Sequence, residues 1–182
     1  MAISKIIPNS LDLTQDFTLN GMAVGKGGGA ISSNTAVGAS ALTSNTTGAQ
    51  NTAVGYNALP SNTTASENTA VGHQALNSNT TGEQSVAIGR LALNSTTTGS
   101  YNTAVGKSAL QLNTTASYNT AVGYQATYSN TTSSGITSVG YQAGYSTTGR
   151  DNTYIGYYAG LWLTSGLENT AVGKSALLGT NG

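Results

Sequence analysis

The chain has 182 residues, with 6 Lys and Arg against 6 Asp and Glu, and its formal net charge at pH 7 is zero. Charged residues make up 7% of the sequence, far below the roughly 25% of an ordinary soluble domain. Singly scattered cations exclude the basic clusters that grip nucleic acid, and the absence of cysteine excludes disulfides and thiolate metal sites. With 24 glycines and abundant Thr, Asn, Ser and Ala, the composition is typical of a repetitive or fibrous protein.

Residues 1–20 precede the repetitive part of the chain and form its first predicted segment. Leu11, Leu13, Phe17 and Leu19 occupy alternating positions among polar residues, which predicts a strand with one apolar face. Two interpretations stay open for this segment. It caps the first coil of the repeat array, or it anchors the protein by adding a strand to a partner protein.

Residues 21–33, "GMAVGKGGGAISS", are predicted to form a short, atypical first coil. The "GKGGG" run lacks the spacing and the following helix of a phosphate-binding loop, so it is interpreted as a turned joint. The N-terminus has an apolar run too short for a signal peptide, and no stretch approaches the roughly 18 apolar residues of a membrane helix. We therefore expect no membrane association.

From residue 34 to residue 182 the chain repeats one short motif. Copies of "NTAVG" or a near variant start at residues 34, 51, 68, 85, 102, 119, 136, 152 and 169, so every step is 17 residues except one of 16. A fixed period of this length indicates a solenoid. We predict an all-β parallel solenoid, a β-roll of about nine coils, in which the first Asn of each copy defines column 1.

Columns 2 to 5 read mostly Thr-Ala-Val-Gly, and the β-branched residues predict a short strand. Alternation places columns 2 and 4 on one face and columns 3 and 5 on the other. The prediction assigns the larger face, Thr with Val or Ile, to the interior. The Ala and Gly face would then lie outside, where strands of sister chains could approach closely.

Three other columns have predicted roles. Column 8 is always Ala and column 9 is mostly Leu, which indicates a second inward segment, while the Ser-Asn-Thr-Thr-Gly stretch after it is turn chemistry. Columns 1 and 12 are mostly Asn and are predicted to stack as structural ladders along the axis. No apolar stripe of helical period runs through the repeat, so helix is not expected.

Column 6 varies most and is predicted to be a solvent-facing corner. Tyr124, Tyr141 and Tyr157 in this column would stack as an exposed ladder that either stiffens the roll or binds sugars or proteins. His73, the only histidine, is in the same column and is not expected to bind metal. Trp162 belongs to an unusual apolar cluster, 161–163, with three interpretations: an internal plug, a contact between chains, or a receptor contact.

The motif carries a family resemblance. Ser85-Val86-Ala87-Ile88-Gly89 resembles the core motif of the YadA-like head repeat of trimeric autotransporter adhesins, and "NTAVGYNALPSNTTASENTAVGHQALNSNTTG" is similar to arrays in bacteriophage tail fibres and other virion appendages. The opening "MAISKIIPNSLDLTQDF" is similar to the N-termini of phage fibre proteins. The resemblance implies a left-handed parallel β-roll assembled as a homotrimer.

These observations predict a non-enzymatic virion structural protein, a trimeric fibre, spike or decoration protein made in the host cytoplasm. Its expected partners are a capsid or tail protein at the N-terminal segment and a host-surface glycan or protein. No catalytic, metal-binding or cofactor-binding residues are predicted, because no carboxylate pair or nucleophile–base set recurs. The alternatives are an adhesin head that binds a cell-surface receptor and an ice-binding solenoid.

Overall fold

A computed structural model describes residues 17–19 and 22–179 of the protein. One 11-stranded sheet follows chain order from β1 to β11. The described residues contain no α-helix, and a single 3-10 turn covers Gly28–Ala30. The strands are β1 Phe17–Leu19, β2 Met22–Gly25, β3 Thr35–Val37, β4 Thr52–Val54, β5 Thr69–Val71, β6 Val86–Ile88, β7 Thr103–Val105, β8 Thr120–Val122, β9 Thr137–Val139, β10 Thr153–Ile155 and β11 Thr170–Val172.

Strands β3 to β11 run parallel, and each pairs with the same columns of the next copy. Thr103, for example, pairs with Thr120, and Val105 with Val122. The predicted parallel β-solenoid is therefore confirmed, with one coil per repeat and about eight complete turns. The 16-residue step keeps the same register, because Thr137 pairs with Thr153.

The N-terminal part differs from a parallel coil. Strand β2 pairs antiparallel with both β1 and β3, so residues 17–25 form a hairpin on the first edge of the solenoid. The segment 21–33, predicted as a short first coil, thus contributes an antiparallel strand and the 3-10 turn. Leu11 and Leu13 lie outside the described residues, whereas Phe17 and Leu19 are the ends of β1.

The interior of the solenoid is lined by the small residues of column 3. Ala53, Ala70, Ala87, Ala104 and Ala121 are fully buried, while the Thr and Val residues on either side are partly or well exposed. The inward assignment of columns 2 and 4 is therefore wrong. The returning segment of each coil passes close behind the strand, which leaves room for a methyl group but not for a branched side chain.

The returning segment fills the rest of the interior, as predicted. Column 8 alanines and column 9 leucines are fully buried along most of the array and form one apolar cluster with the column 3 alanines. The buried leucines are Leu42, Leu59, Leu76, Leu93 and Leu110. Each of them has a positive φ close to 50°, so the coil turns at a left-handed residue even where no glycine is present.

Each strand ends at the column 5 glycine because two coils approach closely there. Gly55 has φ 132°, and a Cβ at this position would lie 2.7 Å from the carbonyl oxygen of Gly72 in the next coil. Any larger residue would be strained in conformation and would push the coils apart. This accounts for the invariance of glycine in column 5.

Asparagine ladders satisfy the buried polar groups of the turns, as predicted. Asn51 donates from Nδ2 to the carbonyl of Ala65 at 2.8 Å and accepts from the backbone N–H of Asn68 at 3.0 Å. Where Asn is replaced, a hydroxyl takes over the same function: Ser85 accepts from the N–H of Asn102, and Thr96 accepts from Asn113. Unpaired buried groups are costly, so the ladders fix the coil spacing.

A second apolar cluster begins near the eighth copy, where Tyr154 occupies the Ala column. Its ring is fully buried, and its hydroxyl lies 3.3 Å from Thr147 Oγ1. Gly144 and Gly160 replace Leu in column 9 of the two adjacent coils, and a Cβ at either would overlap the Tyr154 ring. The larger side chain is thus accommodated by two deletions of neighbouring side-chain volume.

Candidate interaction surfaces

The outer face of the parallel sheet is the most extensive unpartnered surface of the described chain. It consists of column 2, mostly Thr, and column 4, which is Val or Ile in every coil. Ile88, Ile155 and Val172 are 41%, 40% and 65% exposed. We call this surface the Thr/Val face. It is β-branched along its whole length and continues over β3 to β11.

Two borders flank the Thr/Val face, one on each side of the strands. The upstream border consists of the residue just before each column 1 Asn, together with Glu83, and the downstream border is column 6. The upstream residues are Gln50, Glu67, Gln84, Tyr101, Tyr118, Gly135, Asp151 and Glu168. The downstream residues are Ala39, Tyr56, His73, Arg90, Lys107, Tyr124, Tyr141, Tyr157 and Lys174. Nearly all of these side chains are exposed.

Three of the predicted surface-binding residues lie in one stack on the downstream border. The ring centroids of Tyr124 and Tyr141 are 5.1 Å apart, and so are those of Tyr141 and Tyr157. Lys107 places its ammonium 5.4 Å from the Tyr124 centroid, and Lys174 lies 5.9 Å from that of Tyr157. Both end faces of the stack therefore carry a cation, and the stack presents its edges and hydroxyls to solvent.

Trp162, the fourth predicted residue, belongs to a different aromatic row. Tyr128 and Tyr145 stack at 5.1 Å, and Trp162 meets Tyr145 edge to face at 6.1 Å. Partial burial raises the pKa of Tyr145, and the nearby phenols of Tyr128 and Tyr124 raise it further. The influence of Tyr124 indicates that the two rows adjoin. The neighbours of Trp162 point inward, since Leu161 is buried and Leu163 packs against the second apolar cluster.

Sequence reasoning missed several aromatic contacts. Tyr128 and Tyr145 recur 17 residues apart and could have been found from that period. Tyr101 and Tyr118, on the upstream border, stack at 4.9 Å with an interplanar angle of 2°. Tyr158 meets Tyr141 edge to face at 5.5 Å. Partial burial raises the pKa of Tyr141, followed by the phenols of Tyr158 and Tyr124.

His73 lies on the downstream border as predicted, where its ring stacks on Tyr56 at a centroid distance of 5.3 Å. Across the described part of the chain, no three His, Asp or Glu side chains lie close enough together to hold a metal ion. Within residues 17–19 and 22–179, no helix has the length and apolar character needed to cross a membrane.

The chain was compared with protein-family models, with curated proteins and with solved structures, and nothing matched it.

Proposed function

We propose that this protein is a non-enzymatic structural protein that assembles as a homotrimer through the Thr/Val face and serves as a fibre, spike or decoration protein of a virion. The observation that carries the proposal is the uninterrupted β-branched outer face of the solenoid. Parallel sheets are normally covered on both faces. Here the returning segments cover one face, and the single chain leaves the other open.

The single coil is too thin to provide much stability by itself. Its interior contains mainly Ala and Leu side chains, together with Asn ladders. Burying a Val or Ile side chain contributes about 1.5–3 kcal/mol, and each coil offers one such residue on the Thr/Val face. Sister chains that cover this face would add that contribution coil by coil. The number three comes from the resemblance of the repeat to trimeric β-roll heads.

The virion location is supported by the resemblance of the repeats and of residues 1–17 to phage fibre proteins. The hairpin adds a further argument, because β1 is the edge strand of the sheet. An edge strand offers backbone groups to a partner strand. We propose that residues 1–20 dock on a capsid or tail protein in this way.

Two experiments test the proposal. Native mass spectrometry of the full chain should return three copies, and a stable monomer would contradict the trimer. A variant without residues 1–20 should still form the trimer, because the Thr/Val face is untouched, but should fail to join particles. Undiminished incorporation of this variant would contradict the anchor.

Receptor binding is a second candidate function, favoured by the two aromatic rows on the sixth to eighth coils. Trp162 departs from parallel stacking and is partly exposed. We expect Trp162→Ala to weaken binding to host-surface glycans about tenfold or more, as for aromatic hot spots generally. Tyr56→Ala, a matched aromatic truncation far along the solenoid, should leave binding unchanged. Equal binding by both variants would exclude this site.

Ice binding is the remaining alternative, since the Thr column faces outward in a regular array. The aliphatic column 4 interrupts the hydroxyl rows that such a face would use. A thermal hysteresis assay distinguishes the functions, and hysteresis by the wild-type protein at micromolar concentration would favour ice binding over assembly.

A further inference from the structure

The charges of the described chain are sorted onto the two borders of the Thr/Val face. Within residues 22–179, every carboxylate lies on the upstream border, while three of the five cations and the histidine lie on the downstream border. The upstream carboxylates are Glu67, Glu83, Asp151 and Glu168, and the downstream bases are His73, Arg90, Lys107 and Lys174. Lys26 and Arg150 are the two cations elsewhere.

The two borders also match level by level. On the third coil Glu67 faces across the strand to His73, and on the ninth coil Glu168 stands opposite Lys174. The remaining levels combine Glu83 with Arg90, Tyr101 with Lys107 and Tyr118 with Tyr124. Each level thus pairs an acid with a base, an aromatic ring with a cation, or two aromatic rings.

These pairs cannot form within one chain. The partners are six or seven residues apart, and six residues of extended chain span roughly 20 Å. Among residues whose side chains the structure describes, the one ion pair joins Arg150 to Asp151. Glu168 and Lys174 are both exposed on opposite sides of β11.

Symmetry decides which borders meet when two copies cover each other's Thr/Val face. A rotation axis parallel to the solenoid keeps all coils at the same height and brings the upstream border of one copy against the downstream border of the next. A two-fold axis perpendicular to the solenoid instead reverses one copy and brings like borders together. The first arrangement pairs acids with bases, whereas the second places Arg90, Lys107 and Lys174 on one side of the interface.

We propose that the Thr/Val faces of identical chains associate co-directionally and in register, with each upstream border seated on the downstream border of the neighbouring copy at the same coil. This inference rests on the proposed homo-oligomer and specifies its interface. Complementary borders fix orientation and register, and they exclude the reversed arrangement by like-charge repulsion. The aliphatic column 4 supplies the buried centre between them.

Cysteine cross-linking tests the register, because the native chain contains no cysteine. In the variant Tyr118→Cys/Tyr124→Cys, both positions are on the sixth coil. A disulfide needs Cα atoms within about 7 Å, which excludes a bond inside one chain. Oxidation of the full-length variant should give covalent multimers that end in a closed ring, visible on a non-reducing denaturing gel.

The matched control is Tyr118→Cys/Tyr56→Cys, in which the downstream cysteine lies four coils away, about 19 Å along the axis. The cross-linked fraction of the same-level variant should exceed that of the control by about fivefold or more. Equal yields, or dimers from Tyr124→Cys alone, would overturn the in-register arrangement.

Charge reversal gives a second, independent readout. Glu168→Lys and Lys174→Glu should each raise the concentration for half-assembly about tenfold, since like charges then face each other on every interface. The double variant restores opposite charges and should recover assembly. Additive loss in the double variant would contradict the pairing.

Native mass spectrometry of the wild-type chain separates the two levels of the argument. An oligomer without same-level cross-links refutes the in-register borders and leaves the proposed assembly intact. A monomer under all conditions refutes both.

Discussion

At the scale of single residues, the interior of the solenoid is controlled by side-chain volume. Tyr154 fits into the Ala column because Gly144 and Gly160 lack the leucine side chains that fill column 9 in earlier coils. These glycines have φ 60° and 64°, close to the 50° of the leucines at equivalent positions. Backbone conformation therefore does not require glycine there, whereas the space taken by the aromatic ring does.

We predict that Tyr154→Ala destabilises the protein by about 3–5 kcal/mol, as for other large-to-Ala changes in cores, because the two glycines leave a cavity unfilled. Adding Gly160→Leu should recover much of this loss, since it restores the Ala and Leu pair of the earlier coils. Urea unfolding followed by circular dichroism measures both variants. A Tyr157→Ala control, at an exposed position, should change the unfolding free energy little.

Stability should also fall at alkaline pH. Burial raises the pKa of Tyr154, and its hydrogen bond with Thr147 partly offsets the increase. A group that holds its proton more tightly in the folded state contributes stability fully present below its unfolded pKa of about 10. That contribution is lost as pH rises through the folded pKa.

The measurement is the unfolding free energy between about pH 9 and pH 12 for wild type and Tyr154→Phe. We expect a shallower alkaline decline in the variant, with the remainder coming from surface phenols such as Tyr141, whose pKa is also raised. Identical slopes would show that ionisation of Tyr154 is not coupled to unfolding.

At the scale of the element, each three-residue strand separates two different functions. Column 3 faces the interior and determines whether the coil folds, while columns 2 and 4 face outward and are available for contacts between chains. The same strand thus carries a folding residue and an assembly residue side by side.

We predict opposite outcomes for two aspartates placed one residue apart. Ala104→Asp buries an unpaired charge and should prevent folding. Val105→Asp should leave the chain folded, with a far-ultraviolet spectrum like wild type, but should abolish assembly because the charge enters the interface. Val105→Thr, which matches the outward Thr of column 2, serves as the control and should still assemble. A misfolded Val105→Asp chain would contradict the outward placement of column 4.

At the scale of the whole molecule, the solenoid is a stack in which each coil contacts its two neighbours. All strand pairs from β3 onward have the same register, and the asparagine ladders repeat with the same 17-residue spacing. Stability in such an array is approximately the sum of coil and interface contributions.

Removal of one complete coil, residues 51–67, should therefore be tolerated. Gln50 would join Asn68, the register of strand and ladder would be preserved, and the rod would shorten by about 4.8 Å. We expect a folded protein with a lower unfolding free energy and a smaller denaturant m-value, because less surface is exposed on unfolding. Removal of residues 51–58 should disrupt the array, since half a coil brings Thr-Val columns onto Ala-Leu columns.

The repeat period by itself determined the architecture of this protein. Strands at Thr-Ala-Val, coils of 17 residues, asparagine ladders and inward Ala and Leu in columns 8 and 9 all follow from local preferences repeated in register. These predictions hold because nearest-neighbour stacking imposes the same environment on every copy.

Only the tertiary structure decided which face of the strand is inside. Alternation divides Thr and Val from Ala without ranking the two faces, and size favoured the wrong choice. The distance between the strand and its returning segment is set by the glycine of column 5 and by the turns, and at that distance only Ala fits. The same tertiary geometry sorted the border residues by charge across the Thr/Val face, since residues six positions apart take opposite sides only once the coil has closed.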